Sequence, residues 1–420
     1  MKILTALVVL SILLSVTATL AQPATDPDRP WETWQPPAVT LPNPNAYDTY
    51  LKAFAFKDDI DRAHGLPRPK DAPPPPGGID QWGVGPPEMT LPQRVALYAD
   101  VFEIAHEALK QECRFPPNDT GPQLLSPELT KFRELARLFA MQSAWFREQG
   151  RNLDAANAAL DGVLVGHHVA TGRSDLTYLV GIACEAIAYK QLDAVIGELN
   201  AAECREVLKR LQAVEARRVP MKELLDGEER GQRVMLKWLA RMPAGQAGAG
   251  GGAPMPPPPP GLEAWPPGGG QEVLRASWPA VGKLFNALRE MAKRPYHLRE
   301  PLPPPDDILM RMTADLYPKL WFSDARARTT PRLRIAALAA RCFLLEKGHL
   351  PGGLAELAPT YLERLPGDPF YVGPLHSTTA DGALVVYSIG PDGADDGGAA
   401  IVGTVKIESK GDVVVRVAGR

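Results

Sequence analysis

The 420-residue chain has only four cysteines, Cys113, Cys184, Cys204 and Cys342, and no C-x-x-C pair. That excludes a zinc ribbon or a thioredoxin-type site, both of which need two closely spaced thiols. Neither sign of charge dominates: 46 Lys and Arg stand against 49 Asp and Glu, for a net charge of -3. No global field therefore draws the chain to nucleic acid or to an anionic membrane. There is no G-x-S-x-G, P-loop, H-E-x-x-H or dinucleotide-binding fingerprint in a suitable strand–turn–helix context. After residue 21 there is also no apolar run long enough to span a bilayer.

What the chain has in quantity is proline, 44 residues, and glycine, 37, so much of it is not packed core. Lys2, the apolar run Ile3 to Val16 and the small residues up to Ala21 read as a secretory signal peptide over 1–21. The expected location is periplasmic or extracellular, with no stable membrane span after cleavage; a retained anchor is the alternative reading. In an oxidising compartment the four cysteines allow one or two disulfides, and spacing does not choose among the connectivities. Buried free thiols are the other reading, favoured by the apolar runs around Cys184 and Cys342.

Residues 22–92 form a proline-rich lead with one amphipathic helix over 46–64, whose Tyr50, Phe54 and Ile60 fall near helical spacing. An isolated helix of that length is marginal in water, so it is expected to dock on the main body. Trp31, Trp34 and Trp82 are docking anchors or an aromatic surface. The ordered mass is expected over 93–242, in helices 93–113, 127–149, 152–170, 174–197, 201–215 and 220–241. Ser126-Pro127-Glu128 and Asn200 ahead of Glu203 serve as helix starts. Short connections imply antiparallel neighbours. The stretch 243–270 is a Gly/Pro linker. Helices at 272–293 and 305–321 are expected to pack back on the first block and leave the linker looped out.

Within the helical block, Glu103 and His106 form an E-x-x-H pair, the spacing used in di-iron bundles. A second pair in a continuous helix is missing, which favours an ordinary i, i+3 contact. His167 and His168 stand near a helix C-terminus, where a cationic imidazole suits the helix dipole. Glu185 lies in an apolar run and needs a partner, with Arg205 or Arg210 as candidates. Residues 134–150 and 152–170, with Ala155, Ala156, Ala158 and Ala159 on a close-approach face, resemble a tetratricopeptide-type hairpin. Arrays of that kind present surfaces to partners.

The most specific stretch is YSIGPDGADDGG, from Tyr387 to Gly398. Asp392, Asp395 and Asp396 crowd three carboxylates among glycines. A hard cation relieves that repulsion, and an acidic turn without one is the alternative. The spacing from Asp392 is not that of an EF-hand. Ahead of it, Thr330 and Pro331 signal a helix start for LRIAALAARCFLLE. That run is apolar on most sides and so has to be buried. A turn with Leu354 and Leu357 follows, then the strand 383–389 and, after Asp412, the strand VVVRV.

Pro351, Leu354, Leu357, Pro359, Tyr361, Leu362, Leu365, Pro366, Asp368, Pro369, Phe370, Tyr387, Ser388, Gly390, Asp392 and Gly393 fall as in the C-terminal module of the major pseudopilins of type II secretion. Residues 330–420 resemble that module. The resemblance implies a Ca²⁺ site with Asp392, Asp395, Asp396 and the Ile389 carbonyl as ligands, and Asp412 as a further candidate. The start of the chain departs from the pseudopilin leader and filament helix, so fold and metal are carried over and filament assembly is not. The whole order also resembles exported proteins of planctomycete-type bacteria, a likeness that names no activity.

The expected fold is mainly α, an antiparallel helical-hairpin array or bundle with a small C-terminal α+β pseudopilin-like module. The expected function is an exported, non-enzymatic scaffold with a protein partner and no nucleic acid. An accessory component of a type II secretion-like apparatus and an extracytoplasmic hydrolase are the alternatives.

Overall fold

Asn45 starts the first long helix, because its Oδ1 accepts from the Tyr47 N–H at 3.2 Å and satisfies one of the free amides of the first turn. In the computed structural model, which describes residues 29–66, 83–117, 119, 128–241 and 270–419, this helix is α2 (Ala46–Ala63), preceded by the short α1 (Pro30–Thr33). The expected signal peptide, Trp82, the helix start at Ser126 and Pro127, and the linker up to 269 lie outside the described residues. The chain is mainly helical with one small sheet at its C-terminal end. No helix of the described residues is long and apolar enough to cross a membrane.

Helix α2 buries Tyr50, Ala53 and Phe54 against the body, as its spacing predicts. The single helix expected over 93–113 is two, α3 (Leu91–Leu97) and α4 (Ala99–Leu109). Their junction, Tyr98, leaves helical geometry at φ -98, ψ 19. Its hydroxyl donates to Asp61 Oδ1 on α2 at 2.6 Å. That anchor, invisible to local periodicity, fixes the break.

Helices α5 (Glu128–Glu148), α6 (Asn152–Ala170), α7 (Asp175–Ile196) and α8 (Ala201–Glu215) form the body. The α6–α7 crossing depends on two glycines: a Cβ on Gly166 would lie 2.6 Å from the Gly181 carbonyl oxygen, and one on Gly181 would lie 2.5 Å from the Gly166 oxygen. The two backbones touch there, so neither position admits a side chain. Ser174 and Asn200 cap α7 and α8 through the Thr177 and Glu203 amides.

After α9 (Met221–Leu239) the chain returns as α10 (Gly270–Ala292), which packs on α9 with Leu274, Val281, Phe285 and Leu288 inside a second core. Trp31 and Trp34 of the N-terminal lead meet Trp278 edge-on, so both serve as docking anchors.

The helix expected over 305–321 and the one expected to start at Thr330 and Pro331 differ from what forms. A short α11 (Ile308–Ala314) is followed by α12 (Tyr317–Lys347), 31 residues, which runs through Pro331. Thr330 is not a cap; its hydroxyl donates back to the Arg326 carbonyl at 3.1 Å, and Thr329 does the same to Ala325 at 2.8 Å. Burial overrides the local breaker signal. Tyr317, Leu320 and Trp321 belong to the second core, and Leu333, Leu338 and Phe343 to the first. Each such side chain contributes about 1.5–3 kcal/mol on burial, against about 3 kcal/mol for one interior proline. Gly348 in the left-handed region, φ 82, ends the helix.

Strands β1 (His376–Ala380), β2 (Ala383–Ser388) and β3 (Val413–Ala418) form an antiparallel sheet in the order β1-β2-β3. Tyr387 faces His376 across one pair and Val414 across the other. Every residue of β2 is buried, and α12 lies against β2 and β3. β1 was not expected: its sequence HSTTA is polar and only half-buried.

The ends of the linker meet, since the Gln271 Nε2 donates to the Ala240 carbonyl at 3.2 Å. Replacing residues 243–269 by about eight Gly and Ser residues should therefore keep or slightly raise the melting temperature, because shortening such a loop recovers about 1 kcal/mol of closure entropy. Calorimetry showing a loss of several degrees would contradict the close approach of these ends.

Candidate functional site

β2 delivers the acidic loop. Asp368, buried in the turn before the sheet, accepts from the Phe370 N–H at 2.9 Å, the Ser388 hydroxyl at 2.7 Å and the Ile389 N–H at 2.9 Å. The Arg332 guanidinium donates to the neighbouring Gly367 carbonyl at 2.9 Å and ties that turn to α12. Gly390 then turns at φ 75; a Cβ there would stand 2.5 Å from the Gly411 carbonyl oxygen, so the loop begins pressed against the entry to β3.

Asp392, Asp395 and Asp396 are all exposed. Asp392 accepts from the Ala394 and Gly411 amides at 3.3 Å each. Asp395 accepts from the Tyr387 hydroxyl at 3.1 Å and the Gly397 N–H at 3.0 Å, and its Oδ2 lies 3.4 Å from His376 Nδ1. Burial, with Asp395 adding its charge, pushes the Tyr387 hydroxyl up to about 12. Ile389 is held through its N–H by Asp368. These three carboxylates do not form one group of converging ligand atoms.

Asp412 is the hub of the loop. Its N–H donates to Ala399 at 2.8 Å, its carbonyl accepts from Ile401 at 2.9 Å, and its Oδ2 accepts from Gly398 at 2.7 Å. The residue is 0% exposed and its Oδ1 has no hydrogen-bond partner. Burial first, and then the charges of Asp395 and Asp396, raise its carboxyl above its ordinary value, against the lowering effect of the Gly398 amide bonded to it and of the nearby Asp396 amide. Sequence reading ranked Asp412 behind the three loop acids; the fold makes it the centre.

A second polar cluster sits inside the helices. Glu185 does not pair with Arg205 or Arg210, which go to Glu346 and Asp161. Its partner is Arg218, whose guanidinium donates to both Glu185 oxygens at 3.1 and 2.6 Å and also to Glu215. His167 Nε2 lies 3.4 Å from Glu215 and 3.7 Å from Glu185. Among the described residues, His167, Glu185 and Glu215 are the one group of three whose ligand atoms converge within 4.8 Å. Arg218 already supplies the cation these carboxylates need, so the cluster works as a buried ion network. A ring nitrogen and a guanidinium also make it unlike the all-oxygen shell of calcium. Burial opposes ionisation of Glu215, but His167 and Arg218 outweigh it and hold the carboxyl at about 2.

The expectation of a cationic histidine at the end of α6 fails for His168. Arg217 donates to its Nε2 at 3.0 Å, so Nδ1 carries the proton and meets the Tyr50 hydroxyl at 2.9 Å. Burial, then Arg217 and His167, push His168 down to about 3 and keep it neutral.

Glu103 and His106 line one groove of about 460 Å³ with Phe102, Gln142 and Trp145. His106 Nε2 lies 3.3 Å from Asp161, which Arg210 holds at 2.6 Å. This gives an oriented imidazole, but among the described residues no serine, cysteine or threonine lines the groove beside it. No family model, curated protein or solved structure matches the chain.

Removing one member of a buried ion network leaves the others uncompensated, at about 3–5 kcal/mol. Arg218→Met should lose stability on that scale in urea unfolding, and Arg218→Lys, which lacks the two-pronged contact, should fall between. A loss below about 1 kcal/mol for Arg218→Met would be that of an exposed pair.

The pH dependence has a definite sign. His168 is depressed from 6.5 to about 3, so the unfolded chain binds the extra proton and stability falls as pH drops from 6.5 towards 3. Glu215, depressed from 4.5 to about 2, adds a loss as pH drops through that lower window. Melting temperatures across pH 7 to 3 should decline, and His168→Gln should flatten the upper part. An unchanged slope in that variant would remove His168 from the account.

Proposed function

We propose that this chain is an exported helical scaffold protein whose C-terminal sheet module is held by a calcium ion at the acidic loop. One observation carries the reading: Asp412 is fully buried with one carboxylate oxygen unpartnered, beneath a loop that carries Asp395 and Asp396. An unsatisfied buried polar atom costs about 1–3 kcal/mol, more if charged. A hard cation at that oxygen removes the cost and neutralises the acids that raise the Asp412 carboxyl. The loop's own donors are carboxylate and carbonyl oxygens, which favours calcium over the softer metals, although the His376 ring nitrogen stands 3.4 Å from Asp395 at its edge. Asp412 would hold it, and Asp395 and Asp396, which do not converge with it as the loop stands, would turn in to join it, with Asp392 and the Ile389 carbonyl as further donors from the same loop.

The ion would supply structure and not chemistry. It would tie 389–398 to the start of β3 and, through Asp368 and Arg332, brace the sheet on α12. The resemblance of residues 330–420 to the pseudopilin module supports the same reading. The helical body, packed on two cores and braced inside by the Arg218 network, serves as a rigid frame that presents its outer faces to a protein partner.

The test is a melting curve with calcium and with chelator. Calcium at about 100 times its dissociation constant should add about 2.7 kcal/mol. Asp412→Asn should remove the calcium response and, in chelator at neutral pH, raise the melting temperature above that of the parent. The sign follows from the raised carboxyl: the fold disfavours its charged form, so the metal-free parent gains from this group as pH falls through the folded value. No calcium shift in the parent protein would end the proposal.

A further inference from the structure

Two of the four free cysteines meet. Cys204 on α8 and Cys342 on α12 are both 0% exposed, and their sulfurs lie 2.9 Å apart. That is inside the roughly 3.5–4.0 Å at which non-bonded heavy atoms settle, and a short closure from the roughly 2.05 Å of a disulfide bond. The Cys204 thiol also points along the α12 backbone, 3.4 Å from the Leu338 carbonyl. The other two thiols are different. Burial pushes Cys113 and Cys184 each up to about 12, and neither has a second sulfur beside it among the described residues.

We infer that Cys204 and Cys342 are the redox pair of this chain and close a disulfide between α8 and α12 when it folds in the presence of a disulfide oxidant. The step balances by thiol–disulfide exchange. One cysteine thiolate attacks a sulfur of a small-molecule disulfide such as oxidised glutathione, forming a mixed disulfide and releasing one glutathione thiolate. The second cysteine attacks its partner's sulfur, forming the Cys204–Cys342 bond and expelling the second glutathione. Two protons go to solvent and two electrons to the oxidant. Both sulfurs are sealed in the folded protein, so exchange occurs before α8 and α12 close, or when they open locally.

The two positions are 138 residues apart in sequence. The bond would span the Gly/Pro linker and tie the helical body to the helix that carries the sheet. A long closed span is where a cross-link most restricts the unfolded chain. This inference stands on the α8–α12 contact alone and is independent of calcium.

The test uses the full chain with a site-specific protease sequence placed between 243 and 269. It is refolded from the reduced state in a glutathione redox buffer, or co-expressed with a thiol oxidase, then cleaved, denatured and alkylated. The expected product runs at full mass without reductant and as two pieces with dithiothreitol. Its peptide map links Cys204 to Cys342 and finds Cys113 and Cys184 alkylated. Cys342→Ser should run as two pieces in both conditions. The oxidised parent should also melt several degrees above the same protein in reductant. Four alkylated thiols in the oxidised, folded parent, or a bond that includes Cys113 or Cys184, would overturn the assignment.

Discussion

Burial of α12 is the constraint on which the rest of the structure depends. A helix of 31 residues is roughly 45 Å long, and this one is covered along most of its length. Its first turns carry Tyr317, Leu320 and Trp321 into the core built by α9 and α10. Just past them, Phe322 and Ala325 pack against Phe370 of the turn before the sheet. Its last four turns fill the core shared by α8 and the sheet. A helix surrounded on all sides needs apolar residues on all sides, which is why it shows no single hydrophobic stripe. The sheet has only three strands and could not bury both of its faces alone; α12 supplies the missing layer.

Polar side chains along α12 reach partners on several other elements. Tyr178 on α7 donates to Asp324, which also accepts from Arg328 at 2.7 Å one helical turn on. Arg332 reaches the turn at Gly367, and Arg334 pairs with Asp193 while stacking over Tyr189. Tyr189 in turn donates to Glu215, a member of the Arg218 network. Separate sets of polar contacts thus tie α12 to the α7–α8 side of the body and to the base of the acidic loop. Networks of this kind are costly when partly satisfied, so they fix one register of α12 against its neighbours. Beside the loop acids, which are exposed, Asp412 is fully buried and its Oδ1 has no hydrogen-bond partner.

Much of this was legible in the sequence. The helix over 46–64, the body helices, the return of α10 on α9 and the two strands around the acidic loop all follow from periodicity and caps. Three features were not legible, each for a physical reason. The Thr330-Pro331 signal is local, and the burial that overrides it depends on Trp321 and Leu333 meeting different cores. The break at Tyr98 is set by Asp61, 37 residues earlier. Strand β1 is polar because it is a half-buried edge; its only cue was Asp381-Gly382, both at positive φ, which forms the tight turn into β2. At the site, the density of acids in the loop drew attention to Asp392, Asp395 and Asp396. Asp412 comes to the centre only through the pairing of Ala399 and Ile401 with its own backbone, just ahead of β3, a long-range fact. The partner of Glu185 was missed for the same reason, since Arg218 lies beyond the end of α8.

The central claim is that α12 makes the helical body and the sheet module one cooperative unit. Native-state hydrogen exchange tests it most directly, by comparing amides on either side of Pro331. The account predicts that 320–330 and 333–345 open with the same free energy and the same denaturant dependence, together with β2. Two separate opening reactions, with the sheet-side half exchanging while the other half stays protected, would contradict it.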